Sequence, residues 1–466
     1  MSPSEDTDVL AFEICAKLQQ RYDQVATEYS SSGNIIGVFF HDLVIHFTGI
    51  IIHRNTVNDY GGVAQFPWVN KKYAITPERV EEPSFLPAPD NLGLRELIKS
   101  LRFIPVALGQ SIPLGYGYQQ YIGKVLKIIL PHLGWTRCFI PGRKAQFVLL
   151  EELILELCKE YQIKNSKIVC ENWKRYADLH ITDKQTVVKE KGILVGTRNN
   201  LHNRKLAINF LQQEKEVIGF THGEISNHVL DEPVYGYSDK TLCTTLVDYG
   251  TFNPDVVSFP PIIKPIKECR RSSPVVAQVY QRSERIEYQG LREVRNLFIP
   301  TIYQQNFLYG PKHAYESQEY YRWHQTLEQC IPNLTTKLHP KTRFRPRFEC
   351  EVENRMLENC IEDYDVLIFD FFATGAVHAI FSDKPVIYFD IGLRSLNKQF
   401  MHDLKQRCTV INIDFALGWE EQIQSGLQQY EAERRTCSNT GLEKYALCDR
   451  EEFSLLGTIF DIMTGK

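Results

Sequence analysis

The stretch DVLIFDFFATGAVHAIFSDKPVIYFD, residues 365–390, decides the fold class. It opens on a wholly apolar run closed by Asp370, and a short loop then reaches Thr374. Small residues and an apolar helix of about two turns follow, and Asp383, Lys384 and Pro385 turn the chain into a second apolar run. Two short apolar runs joined by a helix form a βαβ unit, because parallel strands need a crossover and bury both faces. The pattern recurs outward in both directions. Strands are expected over residues 35–40, 167–170, 192–196, 216–220, 297–300, 334–338, 365–370, 385–389 and 409–413, with helical stretches between them. An α/β architecture follows from this alternation, and two large lobes are expected from the length of 466 residues.

The division expected is an N-terminal lobe over 1–270, a C-terminal lobe over 285–430, and a helical segment over 431–466 packing back on the lobes. Residues 55–115 carry seven prolines and read as a loop-rich insertion. Residues 260–280 mix prolines, basic residues and serines, the composition of a connection.

Composition removes several function classes. With 53 basic against 57 acidic side chains the net charge is −4, so no general excess of positive charge attracts nucleic acid, and an anion site has to be local. The longest nearly apolar run, residues 43–52, is far short of the roughly 20 residues that cross a bilayer. The first ten residues lack the basic start and apolar centre of a secretory signal, so a cytoplasmic location is expected. Twelve cysteines show no C-x-x-C spacing, which argues against zinc ribbons and thioredoxin-like chemistry. Zinc-peptidase, α/β-hydrolase and Walker strings are absent, and GYGYQQ at residues 115–120 lacks the third glycine of a dinucleotide loop. Asp363 and Asp365 spell D-x-D, but ahead of their strand, where a helix end or turn is the better reading.

Three segments carry chemistry. In LTTKLHPKTRFRPR, residues 334–347, a strand ends at Leu338, and His339, Pro340, Lys341, Arg343, Arg345 and Arg347 follow. Residues just past the carboxyl end of a parallel strand lie where ligands bind, and basic groups there suit a phosphate. A solvated surface loop is the alternative. In the 365–390 stretch Thr374 fits an N-cap, and Gly375 and Ala376 leave first-turn amides accessible to a phosphate; capping alone also accounts for Thr374. In the N-terminal half, GILVGTRNNLHNRKLAINFLQQEKEVIGFTHGEIS ends a strand near Thr221, with His222, Gly223 and Glu224 behind it. Histidine and glutamate at a strand end can transfer protons, although a lone histidine is commonly structural.

The order of these segments, His222-Gly223, then Ile299-Pro300-Thr301, then Leu338-His339-Pro340, then Asp370 with Thr374 and Lys384-Pro385, resembles the GT-B type transferases of bacterial surface-polymer synthesis. These include capsule and lipopolysaccharide glycosyltransferases that use cytidine-activated sugars, and teichoic-acid polymerases that use CDP-glycerol. The resemblance spans roughly residues 190–395 and implies an α/β fold of two Rossmann-like lobes facing a cleft. It implies that His339 and Pro340 hold the donor phosphate, with Lys341, Arg343, Thr301, Thr374 and Gly375 completing the donor site. Ala373 replaces the first hydroxyl of the pair that Thr374 belongs to. It further implies that His222 or Glu224 acts in catalysis and that transfer is metal-independent, with no cofactor beyond a CMP- or CDP-activated donor. The donated group would be a Kdo- or sialic-acid-like sugar or a polyol phosphate. The acceptor would be a glycan or lipid-linked molecule met at the cytoplasmic membrane face, with the enzyme at most peripheral there. An epimerase or hydrolase of the same fold, and a noncatalytic nucleotide- or carbohydrate-binding subunit, are the competing expectations.

Overall fold

The computed structural model describes residues 3–26, 34–53, 103–106, 110–113, 137–163, 166–185, 187–188, 191–196, 198, 201–221, 239–252, 266–273, 276–277, 280, 283–301, 317–338, 348–393, 396–414, 417–450 and 452–453. The chain is an α/β protein built on two parallel sheets.

The N-terminal half opens with helices α1 (Pro3–Ala26) and α2 (Ile35–His53), followed by a short antiparallel pair, β1 (Phe103–Val106) and β2 (Gln110–Pro113). Next come β3 (Cys138–Phe139), α3 (Arg143–Glu160), α4 (Ser166–His180) and β4 (Ile181–Thr182), with β3 and β4 pairing in parallel. The four-stranded parallel sheet consists of β5 (Gly192–Val195), β6 (Glu216–Phe220), β7 (Thr245–Tyr249) and β8 (Lys267–Arg271), in chain order, with α5 (Leu201–Leu211) crossing from β5 to β6.

Two expected strands are helices. Residues 35–40 belong to α2, all six of them buried, and residues 167–170 belong to α4. A helix enclosed on all sides is apolar all round, so its sequence has no polar face to distinguish it from a buried strand. Helix α2 is anchored by polar bonds inside this core. Arg204 on α5 pairs with Asp42 at 2.6 Å and donates to the Val38 carbonyl at 3.0 Å, and Trp173 Nε1 donates to His46 Nδ1 at 2.8 Å. The expected connection over 260–280 contains β8, whose charged residues 267, 268, 270 and 271 suit an edge strand and hid it from the hydrophobic pattern.

The C-terminal half contains β9 (Asn296–Ile299), α6 (Ser317–Cys330), β10 (Leu334–Lys337), β11 (Glu351–Glu353), β12 (Val366–Phe369), α7 (Thr374–Phe381), β13 (Val386–Asp390), α8 (Lys398–Arg407), β14 (Thr409–Asn412) and α9 (Trp419–Glu433). Its six strands are all parallel and run β11-β10-β9-β12-β13-β14. Numbered within the sheet this is 3-2-1-4-5-6, the doubly wound dinucleotide-fold order. The strands expected at 297–300, 334–338, 365–370, 385–389 and 409–413 are all present within a residue or two.

Strand alternation explains why these runs lack a polar face. Leu297, Leu367, Phe369 and Tyr388 join the core beneath α7 and α8. Their neighbours Phe298, Val366, Ile368 and Ile387 join the opposite core, with Trp323 and Leu327 of α6 and Ile423 and Leu427 of α9. Each strand is therefore buried on both sides.

After α9 the chain returns across both halves. Cys437 bridges Ile286, and the Asn439 side chain donates to the Phe381 and Ser382 carbonyls at 3.3 and 3.1 Å. Leu442, Tyr445 and Ala446 enter the core under α7. The Lys444 carbonyl then accepts from the Thr251 and Phe252 amides, both at 2.7 Å, just past β7, and the Glu452 amide donates to Arg270 O of β8 at 2.9 Å. Of the expected helical segment over 431–466, the described residues after α9, which ends at Glu433, form a strap holding a single 3-10 turn, Glu443–Tyr445, and residues 451 and 454–466 lie outside the described residues. Among the described residues no helix is long and apolar enough to cross a membrane.

Candidate functional site

In a sheet of order 3-2-1-4-5-6 the strand connections diverge between strands 1 and 4, leaving a crevice at their carboxyl ends. Here that crevice lies between β9 and β12, which pair as Leu297 with Leu367 and Ile299 with Phe369. Past β9 stand Pro300 and Thr301, and past β12 stand Asp370 to Thr374. The fold thus brings together Thr301, Thr374 and Gly375, three of the residues singled out from sequence, although they lie more than seventy residues apart in the chain.

Thr301 is buried, and its Oγ1 has no hydrogen-bond partner. Its amide donates to Tyr320 Oη at 3.1 Å; that hydroxyl in turn donates to Asp370 Oδ2 at 2.7 Å, which also accepts from Trp323 Nε1 at 2.9 Å. Asp370 Oδ1 is buried without a hydrogen-bond partner, like Thr301 Oγ1. Complete burial pushes the Asp370 carboxyl up to about 7, against the opposing pull of Tyr320, Trp323 and the nearby amides of Asp370 and Thr301. A buried polar atom with no partner costs roughly 1–3 kcal/mol, so two at one strand junction suit a site completed by a ligand.

Helix α7 starts at this junction. Thr374 is its first residue rather than its cap; the cap is Ala373, in extended conformation with φ −143° and ψ −173°, whose side chain makes no cap hydrogen bond. The cap residue therefore contributes no side-chain oxygen to the positive end of the helix dipole. Gly375 permits the close approach: a Cβ there would stand 2.9 Å from Ile299 Cγ2, so any larger residue pushes the helix start away from the end of β9. Thr374 and Gly375 are both partly exposed.

The basic segment leaves the sheet one strand further over. Strand β10 neighbours β9, and Lys337 at its end is buried, with Nζ donating to Leu338 O at 2.9 Å. Burial holds the Lys337 ammonium below its ordinary value. Lys337 is therefore structural. His339, Pro340, Lys341 and Arg343 lie outside the described residues, as do Arg345 and Arg347.

In the N-terminal sheet, His222 and Glu224 also lie outside the described residues; the chain that carries them leaves the sheet at Thr221, at the end of β6. Thr221 Oγ1 donates to Asp248 Oδ1 at 2.9 Å. Beside it, buried Arg198 ties strand ends together, donating to the carbonyls of Thr241 and Gly196 at 3.0 Å each and to that of Asp239. Gly219 makes room for that guanidinium, since a Cβ would meet it at 2.4 Å. The D-x-D string is occupied structurally: Asp363 pairs with Arg355 at 2.7 Å, and Asp365 accepts the Arg295 amide at 2.9 Å.

The sequence reading missed Asp370, Tyr320 and Trp323 as site residues. A charged residue closing an otherwise apolar strand was the available signal for Asp370. The other two come from α6, about fifty residues earlier, and only the fold brings them there.

No protein-family model matches the chain, and no curated protein does. Among solved structures it is similar to the glycotransferase of kitacinnamycin, with 11% identity over 69% of this chain and 82% of that one and a TM-score of 0.33. It is also similar to the spinosyn rhamnosyltransferase SpnG complexed with spinosyn aglycone, with 12% identity over 68% and 76% and a TM-score of 0.30. A third is the glycosyltransferase SnogD from Streptomyces nogalater, with 9% identity over 62% and 74% and a TM-score of 0.29. Superpositions this loose carry no argument for fold or function, which rest on the chain's own geometry.

Proposed function

We propose that the chain is a glycosyltransferase of two-lobed, GT-B type, whose C-terminal sheet holds a nucleotide-activated donor at the β9/β12 crevice. The observation that carries the donor site is the convergence of a helix start at Thr374 and Gly375, whose cap residue Ala373 supplies no side-chain oxygen, with the unpartnered buried Thr301 hydroxyl. A helix N-terminus and a buried hydroxyl are donors suited to a phosphate, and their placement at a strand-order reversal is where open parallel sheets bind nucleotides. The motif order from His222-Gly223 to Lys384-Pro385 turns this from nucleotide binding into transfer.

In this reading the helix start, Thr301, His339, Lys341 and Arg343 stabilise the charge that develops on the leaving nucleotide phosphate, the step at which preorganised donors lower a barrier most. His222, or Glu224, takes the acceptor proton from the facing lobe, and closure over the donor excludes water. The donor is a CMP- or CDP-activated sugar or polyol phosphate, and the acceptor is a glycan or lipid-linked molecule of a bacterial surface polymer.

The test is product analysis with cytidine-activated donors and glycan acceptors, for the parent and His339→Ala. The expected result is acceptor-dependent release of cytidine nucleotide by the parent and its loss in a folded His339→Ala. Conversion of donor without acceptor, or an unchanged rate in the variant, contradicts the proposal.

A further inference from the structure

One helical turn along α6 from Tyr320, His324 and, a turn further, Glu328 face Cys350, which immediately precedes β11. One ligand atom from each of the three lies within 4.8 Å of the others, and among the described residues this is the group of histidine, cysteine and carboxylate groups able to hold a metal ion. Cys350 Sγ is 2.9 Å from Glu328 Oε1, and the Thr336 hydroxyl on β10 sits between the remaining donors, 2.7 Å from His324 Nε2 and 3.3 Å from Cys350 Sγ. Donors around a tetrahedral zinc ion stand about 3.3–3.8 Å apart, given bonds of about 2.0–2.3 Å, so the cluster needs only small side-chain adjustments.

We propose that His324, Glu328 and Cys350 form a structural zinc site, with the Thr336 hydroxyl beside the fourth position. Imidazole, thiolate and carboxylate together are a borderline-soft set that suits zinc over magnesium or calcium. Charge balances on binding: Zn2+ replaces the Cys350 thiol proton, which goes to solvent, so the dication meets one thiolate, one carboxylate and a neutral imidazole. The imidazole is held before metal arrives, since the His324 ring packs edge-on against Phe298 at 4.7 Å and at a tilt against Phe348 at 4.5 Å between ring centroids.

The site also meets a mechanical need of the fold. Strand β11 is a three-residue edge strand with no fully buried residue, paired on one side only, and it follows the long basic segment. A metal at Cys350 fastens the return of that segment to α6 and β10, a role independent of donor binding.

The test uses the full-length chain, stripped with a chelator and titrated with Zn2+ by calorimetry and with Co2+ by absorption. One site per chain is expected, and its cobalt form shows a near-ultraviolet thiolate-to-cobalt charge-transfer band. Cys350→Ser abolishes that band and weakens Zn2+ binding by more than about a hundredfold, beyond the roughly 10–100-fold that follows loss of an outer-sphere partner. Glu328→Gln, at a half-exposed position, serves as the second variant and also weakens binding while keeping the band. Absence of stoichiometric Zn2+ binding to the parent overturns the proposal, as does an unchanged band or affinity in a Cys350→Ser variant whose circular dichroism matches the parent.

Discussion

At the residue scale, the crevice turns on two atoms whose substitution separates binding from folding. Thr301→Val keeps the shape of the side chain and replaces a buried, unpartnered hydroxyl with a methyl group. The ligand-free protein should keep or gain stability, because a desolvation penalty disappears and no internal hydrogen bond is lost. Nucleotide binding should weaken by roughly tenfold, the equivalent of about one hydrogen bond. Thermal melting without ligand and calorimetry with nucleotide read the two effects separately. A purely structural threonine would show neither.

Asp370 gives a pH signature at the same scale. Its folded carboxyl titrates at about 7 against an ordinary value of 3.8, so between those values the folded protein holds a proton that the unfolded chain has released. Its contribution to stability is therefore fully retained below pH 4, declines as pH rises toward 7, and levels off above that. Asp370→Asn removes this dependence, and its amide oxygen can still accept from Tyr320 and Trp323. Chemical denaturation of parent and variant from pH 4 to 8 should show the difference growing with pH in favour of the variant, by up to about 4 kcal/mol at about 1.4 kcal/mol per pH unit. A pH-independent difference would contradict the assignment.

At the scale of elements, the approach of α7 to β9 is the critical dimension. Gly375→Ala places a methyl group against Ile299, and the overpacking should cost about 1–3 kcal/mol and move the helix start away from the phosphate position. The expected outcome is a lowered melting temperature together with weaker nucleotide binding. Unchanged stability would mean that the helix has room to move.

Elements also show what the sequence could reveal. The strands of the C-terminal sheet were legible because each is a short apolar run ended by a turn signal, as in residues 365–390. Helix α2 was not, since its apolar residues surround it completely. Helix α4 carried a signal that went unused: Val169, Cys170, Trp173, Tyr176 and Ala177 are all buried and fall on one helical face. Strands β8 and β11 lie at sheet edges, where charged residues mask the pattern. Thr301, Thr374 and Gly375 were found because strand ends can be read locally. Asp370, Tyr320 and Trp323 form a cluster between distant elements, which no local pattern encodes.

At the scale of the whole molecule, the near-neutral total charge hides a division of labour. The candidate donor-site residues Thr301, Thr374 and Gly375 gather past the carboxyl ends of the central strands β9 and β12, while the strap that follows α9 ties that sheet to β7 and β8 of the other. The strap joins the halves through backbone hydrogen bonds and through Tyr445, whose ring packs on Phe252 at 4.6 Å and on Phe400 at 4.9 Å. Tyr445→Ala should therefore loosen both halves together, costing about 3–5 kcal/mol as removal of a buried aromatic does, and lower a single melting transition. Two separate transitions in the parent would show that the halves do not depend on the strap.

The most direct measurement of the donor site is calorimetric titration of the parent, Thr301→Val and His339→Ala with CMP, CDP, UDP, GDP and ADP. Binding of a cytidine nucleotide at one per chain is predicted, about tenfold weaker in Thr301→Val and lost in His339→Ala. Binding of no nucleotide, or equal binding by all three proteins, would contradict a donor site at the β9/β12 crevice.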